Sequence, residues 1–470
     1  MGVMAVGVAV VETSSLGDRS YLVHDGDAAV VVDPQRDIDR VLALAGRLGV
    51  TITHVAETHL HNDYVSGGLA LARLTGADYL VAAAERVAFD RIPVADGDEI
   101  TISDELRLRV VATPGHTFHH VSYVVLGDGA PVAACTGGSL LYGTTGRTDL
   151  LGAEHARTLA AHQHASARKL ADQLPAYAAL WPTHGFGSFC SASAPDADTS
   201  TIGRERDVNP ALLLGAEQFV AQLLAGLGEY PAYYAHMGLR NAAGPTPIDL
   251  GRPAGAGARE LHERVAAGEW VVDLRTRKAF AYRHLAGTLS FGLDGPLATW
   301  LGWLLPHGAP LTLLGESAAQ VTAAQRELAR IGIDRPAAAA TGAPEDWAGG
   351  HELRLATLAT ATFADLAAAY PGLGGRVIDV RRRQEWADGH IDGAVHVPLP
   401  ELADRLAELP DGALWVHCAA GYRAAAAASL LARAGRRVVH VDDTWANAAA
   451  TGLPLVDQDL RTGPPITAGD

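Results

Sequence analysis

Residues 57–68 read "ETHLHNDYVSGG". His59, His61 and Asp63 alternate as the ligands of a metal cluster do, and the position after Asp63, where such clusters often carry a further histidine, holds Tyr64. A lone histidine is usually structural, but these have company downstream: His116 in "TPGHTFHHVSY", Asp149 in "GRTD" and His184 in "PTHGFGSFC". Imidazoles delivered by loops at successive strand ends are how an α/β scaffold assembles a metal centre. His155, His162 and His164 lie instead on a polar helical stretch and are expected on a solvated face.

The surrounding residues 1–205 alternate short apolar strands, turn signals and amphipathic helices. "YLVHDGDAAVVVDP" (21–34) predicts a strand, an Asp-Gly turn and a second strand. "RDIDRVLALAGRLG" (36–49) predicts a helix closed by Gly49. The opening "MGVMAVGVAVVE" lacks a basic leader and is too short to span a bilayer, so it is expected to be a first strand. From about 206 to 255 the pattern loosens into a stretch dense in Gly, Pro and Ala, expected to be an ordered tail followed by a linker.

With 470 residues the chain exceeds one ordinary domain. A hydrophobic content of 48%, 19% charged residues and a mean hydropathy of +0.09 are those of a globular protein. The net charge of −16 provides no field to gather phosphate backbones or an anionic membrane surface, so neither nucleic acid nor membrane is an expected partner. A cytoplasmic location is expected. Three scattered cysteines, Cys135, Cys190 and Cys418, fit neither a disulfide framework nor a structural zinc cluster.

An internal repeat organises the C-terminal half. "VVDLRTRKAFAYRHLAGTLSFGL" (271–293) lies over "VIDVRRRQEWADGHIDGAVHVPL" (377–399) and pairs Asp273 with Asp379, Arg275 with Arg381, His284 with His390 and Gly287 with Gly393, all at an offset of 106. In the second copy the strand "ALWVHC" delivers Cys418 into a loop, Cys418-Ala419-Ala420-Gly421-Tyr422-Arg423, and a helix starts at once. Such a loop turns backbone N–H groups toward the sulfur, and the helix N-terminus adds positive potential. Small residues keep the cradle open, and Arg423 is expected as a fixed cation for an anionic sulfur substrate.

Cys-x-x-Gly-x-Arg after a strand, with "VIDVRRRQEW" and "GHIDGAVHVPL" upstream, resembles the rhodanese family of sulfurtransferases. The resemblance implies that Cys418 attacks a sulfane donor, carries sulfur as a persulfide and passes it to a thiophilic acceptor. For the phosphatases that share this fold the resemblance implies a longer, seven-residue loop, so six residues favour sulfur. The first copy reads Leu313-Leu314-Gly315-Glu316 at the equivalent strand end and lacks the nucleophile, which makes it an expected packing or docking module.

The N-terminal motifs resemble the metallo-β-lactamase fold: an early hairpin ending in "DP", His-x-His-x-Asp, "TPGHT", a "TG" strand end and Thr183-His184-Gly185. Together with "GRTDL" and two rhodanese copies they resemble persulfide dioxygenase–rhodanese fusions. The resemblance implies an αββα sandwich over 1–230, a linker over 231–255, a rhodanese-like domain without nucleophile over 256–350 and an active one over 356–465. It also implies one Fe(II) per chain, with zinc as the alternative, held by two histidines and a carboxylate. Carried over, the histidines are His59 and His116, with His61, Asp63 and His184 as further candidates. Arg147 and Asp149 are expected to contact a substrate anion and support the pocket, or to form a loop salt bridge, and Cys190 is expected near the pocket, as a persulfide acceptor from Cys418 or as an inert core thiol.

The third ligand is missing. Where the family pattern has an aspartate after "TG", residues 135–141 read Cys-Thr-Gly-Gly-Ser-Leu-Leu, and Gly138 has no side chain to coordinate anything. Tyr64 and Gly138 together disfavour a dinuclear hydrolase. The reading that follows is a sulfur-metabolism enzyme acting on a low-molecular-weight persulfide or thiosulfate, with sulfite and a thiol acceptor as reaction partners. The alternatives are a non-oxidising sulfur carrier or docking protein and a zinc hydrolase of a thioester-like substrate. Assembly as monomer or homo-oligomer is left open.

Overall fold

The computed structural model describes residues 6–193, 197–351 and 354–457. The chain divides into two compact units, Met1–Asp249 with Arg326–Ile333, and Leu250–Gln325 with Asp334–Asp470.

In the first unit two six-stranded sheets follow one another along the chain. One runs in order through Gly7–Thr13, Asp18–His24, Ala28–Val32, Thr51–Ala56, Asp78–Ala82 and Ile92–Val94. The other is ordered Ser200–Thr201, Ala179–Pro182, Ala130–Gly137, Val121–Gly127, Leu106–Ala112 and Glu99–Thr101. Alternate side chains on each strand point to opposite faces, and the sequence fills both. Tyr21, Val23, Val30 and Val32 join Leu106, Leu108, Val110 and Tyr123 in the core between the sheets. Leu22, Ala29 and Val31 face Val41, Ala45, Leu69 and Ala72 on the helices Asp39–Leu48 and Gly68–Thr75. On the opposite outer face the helices Ala153–Gln173 and Ala216–Gly226 pack through Ala160, Ala167, Leu170, Phe219 and Val220. The result is the αββα sandwich.

Local expectations hold where local chemistry decides. Asp25 accepts the N–H groups of Asp27 and Ala28 in the turn, both at 2.9 Å, and Gly49 closes its helix with φ 72°. The first strand starts at Gly7, and residues 1–5 lie outside the described residues. His162 is exposed, but His164 is buried, its Nε2 3.0 Å from the Leu214 carbonyl, because the helix packs against a neighbour that polarity alone does not reveal.

The expected linker over 231–255 needs correction. Residues Tyr234–Ala243 form a helix with Tyr234, Met237 and Asn241 buried. Its Gly- and Ala-rich flanks hide an element fixed by tertiary contacts: Asn241 Nδ2 donates to the carbonyls of His61 (2.8 Å) and Tyr64 (2.9 Å), and its Oδ1 accepts from Ser66 N–H (2.9 Å).

In the second unit each repeat builds a parallel sheet. The first is ordered Leu289–Ser290, Trp270–Asp273, Leu311–Gly315, Ala338–Thr341, and the second Ala359–Ala361, Arg437–Val441, Ala413–His417, Val377–Asp379, Val395–His396. The sequence repeat is also a repeat of hydrogen bonds. Arg275 clasps Asp273 and donates to the Arg283 carbonyl at 2.8 Å, while Arg381 clasps Asp379 and donates to the Gly389 carbonyl at 2.6 Å. His284 and His390 each turn Nδ1 to the carbonyl four residues back. Of the expected active rhodanese domain, residues 458–465 lie outside the described residues. Among the described residues no helix is long and apolar enough to cross a membrane.

Candidate metal centre and sulfur-transfer loop

The histidines leave the sandwich from strand ends: His59 and His61 after Thr51–Ala56, His116 after Leu106–Ala112, His184 after Ala179–Pro182. All four are buried. The ring centroids of His59, His116 and His184 form a near-equilateral triangle of 4.8, 5.3 and 5.3 Å.

Each of these three rings is held from behind through Nδ1. Thr58 Oγ1 donates to Asp33 Oδ2 at 2.7 Å and so accepts from His59 Nδ1–H at 2.9 Å. His116 Nδ1–H donates to the Arg147 carbonyl at 2.7 Å. His184 Nδ1–H donates to Asp18 Oδ1 at 2.9 Å, with Asp63 Oδ2 at 3.2 Å. The opposite nitrogens converge. His116 Nε2 is buried with no hydrogen-bond partner, and His59 Nε2 lies 3.4 Å from His184 Nε2. Carboxylate, hydroxyl or carbonyl behind an imidazole whose other nitrogen is open is the arrangement that orients metal-ligating histidines. The donor set therefore fits a divalent ion.

Charge follows the same geometry. Burial, with His61 and His116 nearby, pushes His59 far below the ordinary histidine range, and burial with His184 nearby brings His116 down to about 3. Burial also opposes charge on His184, but Asp63 and Asp18 outweigh it and hold that ring at about 10.

His61 is placed differently from its partners. Its Nε2 faces Tyr64 Oη at 3.0 Å, Asp33 Oδ1 at 3.2 Å and Glu57 Oε2 at 3.3 Å. Burial disfavours its charge, yet the two carboxylates hold it at about 9. Asp33 itself, at φ 52°, sits in the left-handed region and also accepts from Thr58 N–H at 2.7 Å and from Thr183 Oγ1. Glu57 accepts from Ser66 Oγ and Tyr79 Oη. His61 Nε2 is thus committed to an acidic clamp, while its Nδ1 is buried without a hydrogen-bond partner. Asp63 supports His184 and accepts from Ser188 Oγ at 3.2 Å.

Arg147 does not present a free cation. It forms a bidentate pair with Asp149 at 2.7 and 2.8 Å, donates to the carbonyls of Phe189 and Gly228, and lies over the Tyr230 ring. Its backbone carbonyl is what anchors His116. The Cys190 thiol is fully buried, and burial followed by the charges of Asp63 and Asp18 pushes it well above the ordinary thiol range. Cys135 lies in the core between the sheets.

In the second unit the strand Ala413–His417 ends at Cys418, which is buried, and Ala424 N–H points at its Sγ from 3.4 Å. Gly421 turns the loop with φ 85°, where a side chain would meet Asp442 Oδ1 at 2.3 Å, and the helix Tyr422–Arg433 follows. Arg423 is not the free cation expected: it donates to Glu385 at 2.6 and 2.7 Å. The first repeat walls this loop. Tyr422 Oη donates to the Gly292 carbonyl at 3.0 Å, Arg277 Nε donates to Asp442 Oδ1 at 2.6 Å, and Trp300 lies under Arg423. At its own strand end, Glu316 N–H is capped by Gln320 Oε1 at 2.7 Å.

Residues 19–182 match the metallo-beta-lactamase superfamily and residues 362–450 match the rhodanese-like domain. Persulfide dioxygenase ETHE1, mitochondrial, of Homo sapiens is 30% identical over 239 residues, covering 50% of this chain and 82% of that protein. The chain belongs to the persulfide dioxygenase family. Its persulfide-dioxygenase-related domain is followed by a rhodanese domain, a fusion that places the chain in sulfur metabolism. A hydroxyacylglutathione hydrolase of Maricaulis maris is 36% identical over a shorter span of 117 residues, 43% of its length. The crystal structure of a metallo-beta-lactamase from Staphylococcus aureus superposes with a TM-score of 0.64 at 28% identity, covering 71% of this chain and 98% of that one.

Sequence reasoning missed the residues behind the persulfide dioxygenase-like pocket. Asp18, Asp33 and Asn241 lie outside the histidine motifs, and Glu57 and Thr58, although they open the stretch 57–68, drew no role from it. Asp33 offered one signal, since it is the Asp of the "DP" hairpin end.

Proposed function

We propose that this chain is a two-centre sulfur enzyme: a metal pocket on His59 and His116 oxidises a low-molecular-weight persulfide to sulfite, and Cys418 transfers sulfane sulfur among persulfide, sulfite and thiosulfate. What carries the reading is the coexistence of a buried, unpartnered His116 Nε2 facing His59 with a strand-end cysteine sulfur that a helix N-terminal N–H addresses. Ferrous iron, when bound, would supply the redox chemistry with O₂; zinc would not.

The chain's own residues prepare both centres. Thr58 and the Arg147 carbonyl fix the His59 and His116 tautomers so that Nε2 of each is an open lone pair. The Arg147–Asp149 pair stiffens the loop that carries this carbonyl. At the other centre, Cys418 as thiolate attacks the outer sulfur of the donor. A sulfur–sulfur bond forms on Cys418 as the donor's bond breaks, and the leaving thiol or sulfite takes the electron pair. Ala424 N–H and the helix N-terminus favour negative charge on either sulfur.

The test combines iron content after anaerobic preparation, O₂ uptake with glutathione persulfide, and thiosulfate:cyanide sulfur transfer by wild type and Cys418→Ala. Stoichiometric iron, substrate-dependent O₂ uptake and transfer lost only in Cys418→Ala support the proposal. Transfer without O₂ uptake would leave a sulfur carrier; unchanged transfer in Cys418→Ala would remove the second centre.

A further inference from the structure

We infer that His184 takes the ligand position for which Gly138 offers no carboxylate, so that the pocket holds one first-row divalent cation on three imidazole nitrogens, the Nε2 atoms of His59, His116 and His184. The inference rests on reading the N-terminal domain as a metal site, and goes beyond it in naming a donor set without a carboxylate.

The bare backbone at Gly138 is built in. A Cβ there would lie 2.3 Å from His116 Cδ2 and 2.6 Å from its Cγ, so the imidazole already fills the space an aspartate stem would need. The backbone cannot shift to make room. Gly138 N–H donates to His120 Nε2 at 3.0 Å, and its carbonyl accepts from Gln163 Nε2 and Gly146 N–H, both at 3.1 Å. Gly146 is needed for the same reason, since a Cβ there would meet the Gly138 carbonyl oxygen at 2.1 Å and His116 Nδ1 at 2.8 Å. Two glycines thus let the His116 ring lie flat against main chain, and that ring position is the one that faces His184.

Of the other groups of possible ligands, that of His61, Asp63 and His184 shares His184, and that of Asp33, Glu57 and His61 lies in the acidic clamp. His61 Nε2 belongs to the Asp33–Glu57–Tyr64 clamp, and His120 accepts through Nε2 while its Nδ1 lies 2.9 Å from Thr113 Oγ1. Asp63 stands behind His184, beside Asp18, on the side away from His59. His59, His116 and His184 each offer a ligand atom, and these lie within 4.8 Å of one another. His184 Nε2–H donates to His59 Nε2 at 3.4 Å, and a cation that displaces this proton would find the two nitrogens at the separation of two donors bonded to one tetrahedral ion at about 2.1 Å.

The test uses the full chain, stripped with a chelator and titrated anaerobically with Co(II), read by ligand-field absorption, by competition affinity and by circular dichroism. His184→Asn keeps an amide nitrogen where Nδ1 meets Asp18 and removes Nε2. It should weaken Co(II) binding by more than about 100-fold, beyond the roughly 10–100-fold that loss of outer support costs, and change the visible band. Gly138→Asp, which supplies the family's carboxylate, should weaken binding as well, because its Cβ displaces His116. Wild-type affinity and spectrum in His184→Asn, or tighter binding in Gly138→Asp, would overturn the inference and leave the metal reading standing. No Co(II) bound by wild type would overturn both.

Discussion

Arg423 and Glu385 face each other through two hydrogen bonds of 2.6 and 2.7 Å, so the arginine that closes the Cys418 loop is neutralised within its own domain. Burial would raise the Glu385 carboxyl, but Arg423 pulls it down to about 2. A carboxyl held lower in the folded than in the unfolded state stabilises the fold fully above its unfolded value of about 4.5, and that contribution disappears as pH falls through about 2. Glu385→Gln should therefore cost about 1–3 kcal/mol at pH 7. Urea unfolding of both proteins from pH 7 to pH 3 should show the gap narrowing below about pH 4.5; a gap constant with pH would contradict the pairing.

Gly421→Ala tests the loop. The left-handed φ of 85° and the 2.3 Å approach of Asp442 Oδ1 leave no room for a methyl group. The variant should lose about 1–3 kcal/mol of stability through backbone strain, and sulfur transfer should fall with it. Steady-state transfer at wild-type rate would mean that the cradle tolerates rearrangement.

Thr58→Val removes the acceptor of His59 Nδ1–H while keeping the side-chain shape. Metal affinity should drop by roughly 10–100-fold as the ring loses its fixed tautomer. Competition with a chromophoric chelator reads this directly.

Asn241→Ala breaks three buried hydrogen bonds to the backbone of residues 61–66. Leaving those three groups unpaired should cost at least about 3 kcal/mol, since each buried unsatisfied group costs about 1–3 kcal/mol. Thermal unfolding checks it, and no change would show that the helix 234–243 does not brace the pocket.

Cys135 and Cys190 are both buried, and burial first, then nearby carboxylates, holds their thiols well above the ordinary range. Neither should react with iodoacetamide at neutral pH in the folded protein, because only thiolates attack. Peptide mass spectrometry before and after urea should show labelling of both only after unfolding. Native labelling of Cys190 would restore it as a sulfur acceptor.

What the sequence determined by itself was everything carried by local order. The Cys418 loop was legible because strand, six loop residues and helix are contiguous, so backbone geometry follows from residue type. The repeat was legible because Asp273–Arg275 and Asp379–Arg381 make the same short-range clasp. His59, His61, Asp63, His116 and His184 were legible as a group, and Gly138 as a departure. The use of each residue was decided only in three dimensions. Two histidines two positions apart diverge, His59 toward His116 and His184, His61 into the clamp of Asp33 and Glu57, because Thr58 fixes the tautomer of the first and a distant and a neighbouring carboxylate hold the charge of the second. Arg423 and Arg147 looked like substrate cations until Glu385 and Asp149 were seen against them. Spacing fixes which side chains can reach a pocket; burial and the partners it brings from distant positions fix their charge, tautomer and remaining valence.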